Sequence, residues 1–207
     1  PETTLLDLQT QFQTTCSPEG KPLLENTPES ECYMPVNYDG KFRGPISLRN
    51  ALAESINIPA IKLLYLVGIK DSIQTARNMG VKGLDDPLRY GLTLVLGGGE
   101  VSLLDMTSAY SVFANDGVRN PYQTILKIED VNGNTIEEPI SQATRVLPEK
   151  TARMINDILS DTKARAPLFG ENSLLDIPGR EIAAKTGTTN DFRDAWVVGY
   201  TPNIALG

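Results

Sequence analysis

Residues 181–187 and 194–201 read as two strands, and a third begins at Asn203, with only short connections between them. Strands joined so closely pair antiparallel, because a parallel partner needs a crossover of a dozen or more residues. No other part of the chain restricts the architecture as much, since the sheet needs a cover and what precedes it is mostly helical. "SLRNALAES" puts Leu48, Ala51, Leu52 and Ser55 on one helical face, with Ser47 as N-cap. Pro59 breaks that helix and opens a second, which Gly68 closes. A third helix stops at Gly80. A fourth runs from the cap Ser102, with Asp105 near the capping-box position, to Gly117, and a fifth starts near Pro148. Between them lie an apolar run ended by glycines 97–99, read as a tight loop, and a hairpin about Asn132-Gly133. Residues 1–45 lack periodicity and read as an extended, loop-rich entry. The expected class is mixed α/β, an α+β arrangement with an antiparallel sheet flanked by helices.

Residue chemistry removes several classes of function. The net charge is −7 over 207 residues, and Lys and Arg are scattered. That argues against a nucleic-acid partner, which needs a basic surface. There is no histidine, which excludes Ser-His-Asp and Cys-His catalysis and removes the commonest metal ligand. Cys16 and Cys32 cannot make a zinc site by themselves, so neither metal nor cofactor is expected. The two cysteines flank one short loop. They either form a disulfide in an oxidising compartment, worth roughly 3 kcal/mol by the loop-entropy model, or stay free thiols. No stretch is long and apolar enough to span a membrane, and "PETTLLDLQT" lacks the pattern of a signal peptide. Export and anchoring are expected from segments upstream.

Two short motifs carry chemistry. Lys185-Thr186-Gly187-Thr188 offers an ammonium, two hydroxyls and a glycine at the edge of a strand. Hydroxyls and ammonium together suit a carboxylate, a backbone N–H at the edge suits an oxyanion, and glycine permits close approach. Taken alone, the tetrapeptide also reads as an ordinary turn. Ser55-Ile56-Asn57 lies at the break between two helices. It reads either as a helix cap or as a hydroxyl and an amide aimed into a cleft, relaying a proton and orienting a substrate. Serine acyl-enzymes without histidine order their motifs as Ser-x-x-Lys, Ser-x-Asn, Lys-Thr-Gly. The second and third occur here in that order.

The blocks "YMPVNYDGKFRGPISLRNALAESINIPAIKLL", "GLTLVLGGGEVSLLDMTSAYSVFANDG" and "AAKTGTTNDFRDAWVVGYTP" resemble the transpeptidase domain of class A (bifunctional) penicillin-binding proteins over nearly the whole chain. The resemblance implies the penicillin-binding transpeptidase and serine β-lactamase-like fold. It also implies a D-alanyl-D-alanine transpeptidase that cross-links peptidoglycan stem peptides ending in D-Ala-D-Ala and is acylated by β-lactams. Such a domain works at the extracytoplasmic face of the bacterial cytoplasmic membrane. By carry-over, Lys185 holds the substrate carboxylate electrostatically and favours proton transfer. Thr186 and Thr188 bind that carboxylate, Gly187 allows close approach, and the Thr188 N–H is half of an oxyanion hole. Ser55 sits in the proton relay and Asn57 bonds the substrate amide. Arg193, Asp194 and Trp196 match the family and read as packing and strand-pairing residues.

In that family the acylated serine, on Ser-x-x-Lys, precedes Ser-x-Asn. No such tetrapeptide occurs before Ser55. Residues 1–207 are therefore expected to be a partial transpeptidase domain, incomplete at both ends and inactive alone. Ser160-Asp161-Thr162-Lys163 is a formal Ser-x-x-Lys in the wrong order and at a helix end. Two alternatives share the fold: a non-catalytic module that senses peptidoglycan stems or β-lactams, and a β-lactamase or penicillin receptor. A β-lactamase needs a carboxylate to activate water. Glu171 and Asp176 precede Lys185 without forming a recognisable motif for that role.

Overall fold

The computed structural model describes residues 2–26, 28, 32–189 and 193–207. The entry segment is tied together more firmly than its composition suggested. Strand β1 (Thr4–Asp7) pairs antiparallel with β2 (Gly44–Ser47), from Thr4 opposite Ser47 to Asp7 opposite Gly44. Cys16 and Cys32 are disulfide-bonded, which decides the alternative the sequence left open. Neither four-residue strand has an alternating pattern long enough to detect, and their pairing spans the whole intervening loop.

Ser47 ends β2 and caps α1 (Leu48–Ala53), its side chain accepting from the Asn50 N–H at 3.2 Å. Helix α1 stops two residues before Ser55. Ile56 N–H reaches back to Ala51 O at 2.9 Å and Ser55 N–H to Leu52 O at 3.2 Å. This is a Schellman ending, with Ser55 at the left-handed position usually given to glycine (φ 57°). Ile56 then packs with Ala51 and Ile46 in a small core. Helix α2 (Asn57–Val67) begins earlier than Pro59, which lies inside its first turn. Gly68 closes α2 and leads directly into α3 (Ile69–Asn78).

Residues 92–96, read as part of a tight loop, form a 3-10 turn that packs on α2. Helix α4 (Leu103–Ala114) starts at the expected cap, Ser102, whose hydroxyl accepts from Asp105 N–H at 3.0 Å. Next come two small antiparallel pairs. Strand β3 (Val118–Arg119) pairs with β6 (Thr144–Arg145), and the expected hairpin is β4 (Ile128–Glu129) with β5 (Thr135–Glu137). Helix α5 (Glu149–Leu159) follows Pro148, and α6 (Thr162–Phe169) was not anticipated.

The closing sheet is as expected: β7 (Ala183–Thr188), β8 (Ala195–Thr201) and β9 (Ile204–Leu206) in antiparallel order, packed against α4 and α5. One core gathers Ile73, Met79, Val81, Leu84, Ala109 and Val112; another gathers Leu159, Ala183 and Tyr200 beneath the sheet. Phe113 packs against both. Tyr110 meets Phe113 and Tyr200 edge-on while Phe113 and Tyr200 stack, with ring centroids 5.8–6.4 Å apart, and this cluster joins the sheet to α4.

Candidate functional site

Ser55 and Lys185, 130 residues apart, meet: Lys185 Nζ donates to Ser55 Oγ at 2.7 Å. Each element that matters contributes to this contact. The Schellman turn lifts Ser55 off the end of α1 and α5 packs against β7. Lys185 Nζ also donates to Thr186 O at 2.7 Å. The ammonium is largely withdrawn from water. Burial foremost, and the positive charge of Arg165 second, lower its pKa from 10.5 to about 8.

Strand β7 pairs with β8 on one side, and among the described residues its other side is a sheet edge. Thr189 N–H donates to Asp194 O. Counting back from that bonded pair along the register, Lys185–Val198 and Gly187–Trp196 are the bonded positions and Thr186 and Thr188 the alternate ones. The N–H groups of Thr186 and Thr188 therefore face the free edge. Neither hydroxyl has a hydrogen-bond partner among the described residues. A Cβ at Gly187 would meet no atom of the described residues within 4 Å, so packing among them does not require that glycine. Gly97 of the triple-glycine turn lies beside the end of β7, where its Cβ would sit 3.7 Å from Thr189 Cγ2.

Asn57 opens α2. Its Nδ2 donates to Val36 O at 2.9 Å, and its Oδ1 accepts no hydrogen bond among the described residues. It is not the cap of its helix. That task falls to Asn37, far back in the chain, whose Oδ1 accepts from Ile58 N–H at 3.1 Å. Asn37 Nδ2 in turn donates to both oxygens of Asp7 (2.8 and 2.9 Å) and to Lys41 O. Arg43 N–H donates to Asp7 Oδ2 at 2.9 Å, and the Arg43 guanidinium pairs with Glu54 at 3.0 Å. Asp7, Asn37 and Glu54 are all buried. Ser55 and Asn57 thus sit between two anchors, Glu54 before and Ile58 after, and both lead to the Asp7 carboxylate on β1.

Motif reading missed this clasp. Asn37 and Arg43 lie in a resembling block, yet nothing local marks Asp7 or Glu54 as partners. It missed Arg165 of α6 as well, which is 4% exposed and donates to Leu159 O. Ser160 ends α5 and Lys163 is exposed on α6; no hydrogen bond joins them. Glu171 and Asp176 are exposed. Asp176 acts on Arg165, whose pKa burial lowers and this carboxylate partly restores. Asp194 brackets the end of β7 through Thr189, and Trp196 pairs opposite Gly187, as strand-pairing residues do. Residues 190–192 of the third resembling block lie outside the described residues. Among the described residues no three acidic or thiol side chains gather as a metal site would require.

Residues 22–205 match the sequence profile of the penicillin binding protein transpeptidase domain. Penicillin-binding protein 1A of Aquifex aeolicus (strain VF5) is 40% identical over 184 residues, covering 86% of this chain and 24% of that protein. Penicillin-binding protein 1A of Neisseria lactamica is 36% identical over 183 residues, covering 86% and 22%. The chain thus spans about a quarter of the length of these relatives. Among solved structures, penicillin-binding protein 1A from Haemophilus influenzae has a TM-score of 0.72 at 24% identity, covering 96% of this chain and 33% of that one. Penicillin-binding protein 3 from Mycobacterium tuberculosis, complexed with ampicillin, has a TM-score of 0.68 at 23% identity, covering 84% and 45%. These structures share the fold, and the profile and the curated relatives carry the kinship: the chain belongs to the penicillin-binding protein transpeptidase family, as its resemblance to the class A members implied.

Proposed function

We propose that this chain is part of a D-alanyl-D-alanine transpeptidase domain and supplies the proton-relay and carboxylate-binding side of its acyl-transfer site. The reaction attaches a serine to the penultimate D-Ala carbonyl, breaks the C–N bond and releases the terminal D-Ala. An amine of a second stem peptide then takes the acyl group. The departing amine needs a proton. Ser55 accepts a hydrogen bond from Lys185 and so keeps its own hydroxyl hydrogen for that amine, and Lys185 replaces it. An ammonium with its pKa lowered to about 8 gives up that proton more easily than a free lysine does. Thr186 and Thr188 receive the terminal carboxylate, the Thr188 N–H serves the oxyanion, and Asn57 Oδ1 accepts the substrate amide N–H. β-Lactams mimic the same carbonyl and carboxylate.

The observation that carries this reading is the 2.7 Å contact from Lys185 Nζ to Ser55 Oγ, which joins the two motifs in the family's order. The nucleophile belongs to a Ser-x-x-Lys that precedes Ser55 in the longer protein. That protein places the domain at the extracytoplasmic face of the cytoplasmic membrane, held by an upstream anchor. No helix among the described residues is long and apolar enough to cross a membrane. A fluorescent penicillin tests the assignment. The 207-residue chain is expected to stay unlabelled, and the longer protein to be labelled on its upstream serine. Lys185→Ala in the longer protein should slow acylation by about 10²-fold or more. An adduct on Ser160, or on any other serine of this chain, refutes the placement of the nucleophile. A longer protein that has no upstream Ser-x-x-Lys and does not label is a sensing module instead.

A further inference from the structure

Arg77 in the last turn of α3, Arg119 of β3 and Arg145 of β6 line one cavity of about 450 Å³, together with Asn78, Gln142 and Thr144. It shares no residue with the Ser55–Lys185 site. Among the described residues no carboxylate lines it and none of the three arginines forms an ion pair, whereas Arg43, Arg49 and Arg153 all do. In a chain of net charge −7, three guanidiniums gather at one cavity, and of them only Arg145 feels a nearby carboxylate among the described residues, that of Asp116, through its charge. Arg77 and Arg145 are fixed by backbone carbonyls, donating to Leu84 O at 2.5 Å and to Asp116 O at 2.7 Å. The Asp116 carboxylate accepts its hydrogen bonds from Arg153. Arg119 is different. Its Nε is buried without a partner, and its guanidinium donates no hydrogen bond among the described residues. The negative end of α3 accounts for Arg77 but not for two arginines borne by strands.

The backbone makes room for this arrangement. Gly80 closes α3 at φ 106°, and a Cβ there would lie 2.8 Å from Arg119 Nε. Any other residue would push the guanidinium out of the cavity wall.

We propose that this cavity binds a phosphate group borne by an organic molecule. Guanidinium forks match phosphate oxygens in pairs, and a phosphate has oxygens enough for more than one fork. The neutral amides and hydroxyl of Asn78, Gln142 and Thr144 suit the oxygens left over. The volume is that of a small-molecule site, much larger than the anion itself, so it accommodates the organic part. Titration of the 207-residue chain with glycerol 3-phosphate, following arginine Nε–H resonances by NMR, tests the site. Sodium chloride at matched ionic strength and succinate serve as controls. The expected result is a saturating shift of Arg119 in the low-millimolar range or tighter. Arg119→Gln and Arg145→Gln should each weaken it about tenfold, and Lys150→Gln should leave it unchanged. Vesicles of phosphatidylglycerol in phosphatidylcholine form a second arm. Loss of the same resonance with vesicles, and no shift with the soluble ester, assigns the phosphate to a lipid headgroup. The proposal is overturned if the wild type shows no saturation in either arm, or responds equally to chloride or succinate. The wild-type titration decides even where a variant fails to fold.

Discussion

Ser55 holds a left-handed backbone that a β-carbon disfavours, at the position where a helix ending of this kind normally has glycine. Strain of that sort persists where a side chain is needed and its surroundings over-determine it. Ser55→Gly should therefore be more stable than Ser55→Ala by about 1 kcal/mol in urea unfolding, although both lack the hydroxyl. Equal stabilities would mean that the turn carries no strain. Lys185 makes a pH prediction. Its pKa is about 8 in the fold and 10.5 as the ordinary value, so between these limits the unfolded chain binds more protons. Stability linked to Lys185 is constant below about pH 8 and rises from there to about 10.5. The wild type should gain on Lys185→Met across that window, and a flat or falling difference would contradict the lowered pKa. Asn37→Ala orphans the Ile58 N–H and strips two hydrogen bonds from the buried Asp7 carboxylate. The expected cost is about 3 kcal/mol, with faster hydrogen exchange at Ile58.

Elements hold their places here through a few buried polar links set among apolar contacts. Tyr200 of β8 donates to Asn156 Oδ1 of α5 at 2.8 Å, and Asn156 Nδ2 donates to Phe113 O of α4 at 2.9 Å. One amide thus joins sheet and two helices beneath the strand that carries Lys185. Burial pushes the Tyr200 phenol well up from its ordinary range, so the donor stays protonated throughout the alkaline window above. Tyr200→Phe keeps the ring contacts with Tyr110 and Phe113 but orphans Asn156 Oδ1, and should cost about 1–2 kcal/mol by thermal unfolding. A negligible loss would show that water replaces the phenol. At this scale much was legible from single turns of sequence. Ser47 and Ser102 cap as their spacing suggests, Gly68 closes α2, and the three closing strands fall where the pattern puts them. Helix α6 was hidden because Pro167 and alternating small and charged residues give it no apolar stripe.

Across the whole molecule, the Cys16–Cys32 disulfide closes a loop between β1 and the Val36–Asn37 clasp, with a sequence separation of 16. Replacing both cysteines by serine should destabilise the chain by about 3 kcal/mol, and an unchanged melting temperature would count against a structural role. Apolar residues remain exposed on α2 (Leu63, Leu66, Val67) and on the sheet (Val197, Ile204, Leu206), the kind of surface that invites packing partners. If the chain is part of a larger domain, a longer stretch of the protein should melt higher, and equal melting temperatures would oppose that reading. What the sequence determined by itself was local: caps, glycine stops, the strand meander, and two motifs whose order implied acyl transfer. Those signals depend on neighbours within a turn or a strand pair, and such neighbours are close in the chain. Only the tertiary structure decided that Lys185 reaches Ser55, that the cysteines pair, and that Asp7 anchors the corner bearing Ser55 and Asn57. Each of those contacts joins residues whose side chains become partners only when burial removes water, and no local pattern records which distant group will then lie within hydrogen-bond reach.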